Sequence, residues 1–91
     1  MTFTVSSGVI YSDAGFRIVD IDDGRIRYIA PSLSLTMRVV RTEAAMTIEM
    51  NDLTTWDEPH STEPLTLADK FRLQRFIEEA YRAVQRQVSF R

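Results

Sequence analysis

Along the first two-thirds of the chain apolar and polar residues alternate in short runs, whereas in the last third apolar residues recur every three or four positions. The first rhythm belongs to strands with one buried face, the second to an amphipathic helix. Five strands are expected. The first lies near residues 3 to 11, with an interruption left open at Ser6-Ser7-Gly8, and Asp13-Ala14-Gly15 ends it. Residues 16 to 21 and 25 to 30 flank Asp22-Asp23-Gly24, where Gly24 can supply the positive φ of a tight hairpin. Pro31 has no N–H for a ladder and breaks the pairing. Leu33, Leu35, Met37 and Val39 then alternate with Ser34, Thr36, Arg38 and Val40, and Met46, Ile48 and Met50 alternate with Thr47, Glu49 and Asn51. A turn around Thr42 to Ala44 joins these two strands antiparallel, with both apolar sets on one face.

Leu73, Phe76, Ile77, Ala80, Tyr81, Val84 and Val88 form one apolar stripe, which predicts a helix from about 66 to 87. Thr66 supplies its N-cap, and Asp69 stands at the reciprocal position of a capping box, with a shorter reach than Glu. A helix with one apolar face and a sheet with one apolar face satisfy each other by packing together. The expected class is therefore α+β: an antiparallel sheet of about five strands, packed in two layers by one long C-terminal amphipathic helix.

Ninety-one residues fit one domain spanning 1–91. The absence of cysteine removes thiol catalysis, Cys-ligated zinc and iron–sulfur clusters together. No apolar run approaches the roughly 20 residues of a membrane span, and Met1-Thr2-Phe3-Thr4 does not start a secretory leader, so a cytoplasmic protein with no membrane association is expected. The net charge of −2 hides a polarity: residues 1–63 carry ten acids against five bases, residues 64–91 three against six.

Between strands and helix lies Leu53-Thr54-Thr55-Trp56-Asp57-Glu58-Pro59-His60, with the sole tryptophan and the sole histidine. Asp52, Asp57, Glu58 and Glu63 stand in residues 51–63 with no Lys or Arg among them, so an acidic, aromatic-centred junction is expected to meet solvent or a partner. Asp57, Glu58 and His60 invite an acid–base or metal reading, since a carboxylate can orient an imidazole and both can ligate zinc. A metal site wants three or four convergent ligands, and no nucleophile with a fixed base and an orienting third group can be assembled here. A protein without catalysis, metal or cofactor is expected, with His60 a solvated loop residue.

Trp56 has two readings that stay open: a plug over the end of the sheet and helix, or an anchor buried on binding. Phe71 lies roughly 160° from the centre of the helix stripe; either the 53–60 loop covers it or it stands at a partner site. Arg72, Arg75, Arg82 and Arg86 fall within a sector of about 80°, which could track a phosphate backbone. Glu79 interrupts that sector, and Arg75–Glu79 and Glu78–Arg82 are i, i+4 pairs, so a solvated ion-pair face competes with nucleic-acid binding. The slightly acidic chain and the lack of an identified stacking aromatic on the sheet weigh against nucleic acid. Asp20, Asp22 and Asp23 lack the spacing of a calcium loop.

At Leu53-x-x-Trp56-x-x-Pro59, followed by a polar spacer and the capped helix, the chain resembles small immunity proteins of bacterial polymorphic toxin systems. Within that group it is most similar to family seventy-four, whose members include contact-dependent growth inhibition immunity proteins. The resemblance implies a non-enzymatic inhibitor that binds the catalytic domain of a cognate toxin, often a nuclease, and blocks its active site or substrate path. The expected interface is Asp52, Trp56, Asp57, Glu58, His60, Glu63 and Phe71, whose acids would complement a basic groove and speed association.

Overall fold

The computed structural model describes residues 1–43 and 45–91. The elements run β1 Phe3–Ser6, β2 Val9–Ser12, β3 Arg17–Asp22, β4 Arg25–Ile29, β5 Ser34–Arg41, β6 Ala45–Glu49, α1 Leu67–Ala83 and β7 Gln87–Phe90. The class is α+β, with one helix against a mostly antiparallel sheet. The sheet, however, has seven strands in the order β1 to β7 rather than about five, and it is curled, where two simple layers were expected.

Both extra strands come from positive-φ residues. Ser7 and Gly8 have φ of 51° and 77°, and Ser6 pairs with Val9. Two consecutive positive φ values match the twist of a two-residue hairpin, so the single expected strand over 3–11 folds back on itself as β1 and β2. At the other end, the helix expected to reach about 87 stops at Ala83. Gln85 takes φ 60°, its N–H donates to the Arg82 carbonyl at 3.0 Å, and the Arg86 N–H donates to the Tyr81 carbonyl at 2.9 Å. These two bonds satisfy the last carbonyls in a Schellman ending, although glycine is the usual residue at that place. The chain then leaves as β7 and pairs parallel with β6, setting Val88 beside Met46 and Phe90 beside Ile48. Val88 is therefore a strand residue, not the end of the helix stripe.

The hairpin around Asp22-Asp23-Gly24 forms where predicted, by a different device. Positive φ among glycines falls at Gly8 and Gly15, not Gly24. Instead the Gly24 N–H donates to Asp22 Oδ1 at 3.0 Å, and the same carboxylate accepts from Arg25 at 2.7 Å. That guanidinium, followed by the Gly24 amide, holds the Asp22 carboxyl below the usual range. The turn expected around Thr42 to Ala44 includes Ala44, which lies outside the described residues; the Thr42 N–H donates to the Ala45 carbonyl at 2.9 Å.

Alternation along the strands puts Ile10, Ile18, Ile26, Leu35, Met37, Met46 and Ile48 on one face, buried against Leu73, Ile77, Ala80 and Tyr81 of α1. Each of the buried Ile, Leu and Met side chains contributes about 1.5–3 kcal/mol by leaving water. Phe16 joins the layers by stacking on Phe76 at 5.2 Å and lying 5.1 Å from Tyr28. The predicted capping box is present: Thr66 accepts from the Asp69 N–H at 3.0 Å, and Asp69 accepts from the Thr66 N–H at 3.1 Å. The shorter aspartate reaches. Its Thr66 amide contact is the main reason the Asp69 carboxyl is held below its ordinary range.

Candidate functional site

Strand β5 is longer than β6, and its pairing with β6 runs only from Arg38–Glu49 to Arg41–Met46. Residues 34–37 of β5 therefore have no strand partner on that side. The junction fills the gap. The Asp57 N–H donates to the Ser34 carbonyl at 2.9 Å, and the Asp57 carboxylate accepts from the Thr36 N–H at 3.0 Å. The hydroxyls of Thr36 and Ser34 donate to the same carboxylate at 2.8 and 3.2 Å, and Arg27 Nε stands 3.6 Å away. One residue thus replaces a rung of the ladder with its backbone and caps the next amide with its side chain.

Behind Asp57 the chain pairs with itself. The Leu65 N–H donates to the Thr54 carbonyl at 2.8 Å, the Trp56 N–H to the Glu63 carbonyl at 3.4 Å, and Thr55 bridges Pro64. This turns Trp56 inward, where it is 6% exposed and part of the core. Of its two readings the structure adopts the plug. His60 closes the loop tip through its backbone: its N–H donates to the Asp57 carbonyl at 2.9 Å and its carbonyl accepts from Glu63 at 3.0 Å. The Ser61 hydroxyl donates to Glu58 at 2.7 Å.

The seven residues expected to form one surface are thus divided. Trp56 faces inward, and Asp57 is half-buried on the flank of β5, bonded to Ser34 and Thr36 with Arg27 beside it. Asp52 is exposed and lines a shallow basin on the sheet's outer face with Arg25, Thr36, Arg38 and Glu49, so the acids of the junction are not isolated from cations. Glu58 and Glu63 are exposed at the loop tip, with His60 half-buried between them. Phe71 is 61% exposed, so the covering contact with the 53–60 loop is not made.

The structure adds a residue that sequence reasoning passed over. Leu67, one helical turn before Phe71, is 68% exposed. At i and i+4 the two side chains are surface neighbours, so they form a single apolar knob on the first turns of α1. The signal is present in the spacing, since on the same wheel Leu67 lies about 40° from Phe71 and likewise off the buried stripe.

On the helix, Arg72 pairs with Asp69 and Arg82 with Glu78, at 2.8 and 2.7 Å. The expected Arg75–Glu79 pair is not among the ion pairs of the described residues; Glu79 instead turns one carboxylate oxygen inward. No group of three His, Cys, Asp or Glu side chains able to hold a metal occurs among the described residues. No helix among them is long and apolar enough to cross a membrane. Comparison with protein-family models, curated proteins and solved structures gives no match to this chain.

Proposed function

We propose that this chain is an immunity protein, which binds the catalytic domain of a cognate toxin in the cytoplasm and blocks its active site or substrate path without catalysis of its own. The observation that carries this reading is the Leu67–Phe71 knob, exposed beside a loop whose Glu58 and Glu63 also face solvent. An exposed leucine–phenylalanine pair costs solubility and contributes little to the fold, so a bound state that covers it accounts for its presence. The aromatic provides the desolvated anchor, and the two glutamates provide an acidic rim suited to the basic groove of a nuclease toxin.

This reading places the interface at Glu58, His60, Glu63, Leu67 and Phe71. Trp56 and Asp57 act on it indirectly, by holding the loop. Co-expression with the product of the adjacent gene tests the function: restored growth and a co-purifying complex are expected, and neither appearing contradicts the proposal. Glu58→Lys with Glu63→Lys is expected to slow association and change its salt dependence, leaving the fold intact.

A second reading, nucleic-acid binding, is favoured by one observation on the sheet rather than the helix. Tyr11 is 46% exposed, pairs across strands with Arg17, and lies on the same outer face as Arg25, Arg27 and Arg38. An aromatic among arginines can stack on a base while the cations follow the backbone. Binding of a single-stranded oligonucleotide that falls steeply with salt would support it, and no binding at low salt would remove it.

A further inference from the structure

Between the β1–β2 turn and the C-terminal end of α1 lies an open pocket of about 250 Å³. Val5 and Val84 give it apolar walls, while Asp20 from β3, Arg41 from the end of β5, Tyr81 from α1 and Arg86 beyond the helix bring polar groups to it. Arg41 donates to Asp20 at 3.1 Å, which neutralises the only carboxylate among the lining residues. Arg41 Nε is buried with no acceptor, and Arg86 joins none of the ion pairs among the described residues. Burial first, and then the Asp20 carboxylate, push the Tyr81 phenol up to about 12.

Donors outnumber acceptors in the pocket: Arg41, Arg86 and the Tyr81 hydroxyl stand against the one carboxylate of Asp20. The Arg86 guanidinium is exposed with no carboxylate partner among the described residues, so a bound anion gains a charge-assisted partner there. The end of a helix opposes an anion, but here the carbonyls of Tyr81 and Arg82 already accept from Arg86, Val84 and Gln85. The volume equals the share of about eight waters, so the occupant is short.

We propose that this pocket binds a small organic carboxylate with a short apolar body, its oxygens held by Arg41, Arg86 and the Tyr81 hydroxyl, and its carbon chain lying on Val5 and Val84. The site is separate from the Leu67–Phe71 knob and does not rest on the toxin reading.

Titration of the ¹⁵N-labelled full chain with hexanoate tests it, with hexanol and hexylamine as uncharged and cationic counterparts of the same length. Saturable shifts are expected at the amides of Gly8, Asp20, Arg41 and Tyr81, with both counterparts bound at least about tenfold more weakly. Arg86→Gln, an exposed change, is expected to weaken hexanoate binding about tenfold without altering the melting temperature; Tyr81→Phe reports on the same contact should the first variant fold poorly. No saturable shift below about 10 mM hexanoate, equal binding of either counterpart, or undiminished binding by a folded variant would overturn the proposal.

Discussion

The junction over residues 53–65 and the first two turns of α1 are neighbours in the chain and opposites in use. The junction has almost no regular structure, yet it buries Trp56 and spends Asp57 on the open flank of β5. The helix start is regular and well capped, yet it leaves Leu67 and Phe71 in water. Irregular backbone can therefore be part of the framework, and a regular element can present the surface. Secondary structure says little about which residues are free to bind; the hydrogen-bond partners and burial of each side chain decide that.

Trp56→Ala should have the largest effect on that contrast. Emptying the tryptophan site is expected to cost about 3–5 kcal/mol in denaturant unfolding, because the loss of transfer energy is joined by a cavity at the end of the core. A loss below about 1 kcal/mol, in the range of surface changes, would mean that the side chain is not a plug.

Asp57→Ala comes next. It removes the acceptor of the Thr36 amide and of two hydroxyls, and about 1–3 kcal/mol is expected from leaving such partly buried donors unpaired. Glu58→Ala, one residue along, should stay within about 0.5 kcal/mol. Equal effects at the two positions would erase the distinction between framework and rim inside the junction itself.

Gln85→Gly should have a smaller effect of opposite sign. A non-glycine residue at φ 60° carries a cost of about 1–2 kcal/mol that glycine relieves, offset by glycine's greater freedom in the unfolded chain, so a gain of about 0.5–1 kcal/mol is expected. A loss of stability would show that the Gln85 side chain makes a contribution beyond the cap.

Those same residues mark where sequence reading reached and where it stopped. The strands from 16 to 50 and the start of the helix followed from alternation, because burying one face imposes a period that side-chain type reveals directly. The helix end did not. Val84 and Val88 fit the helical stripe, while the ending rests on a glutamine in a conformation that its identity does not announce. The β1–β2 turn was half legible: Gly8 suggested a break, but the positive φ at Ser7 that completes the hairpin carried no signal.

For the junction, composition marks the segment but not how its residues divide between core, strand flank and solvent. Four acids close in sequence read as one surface, whereas the Thr36 amide and the hydroxyls of Ser34 and Thr36 hold Asp57 on the flank of β5, and Arg25 and Arg38 of the outer sheet line the same basin as Asp52. Such long-range partners are invisible to spacing, although the unequal lengths of the two strands before the junction were a clue that something must cover residues 34–37. Phe71 is a misfit on the helical wheel; Leu67, about 40° from it and also hydrophobic, completes the patch.

The most direct measurement pairs stability with binding for Leu67→Ser/Phe71→Ser, using denaturant unfolding of the free chain and co-purification with the product of the adjacent gene, the proposed partner. Unfolding free energy within about 0.5 kcal/mol of the parent, together with loss of the complex and of growth rescue, is the expected result. A complex that survives unchanged, or a free chain destabilised by more than about 2 kcal/mol, would contradict the assignment of this knob to a partner.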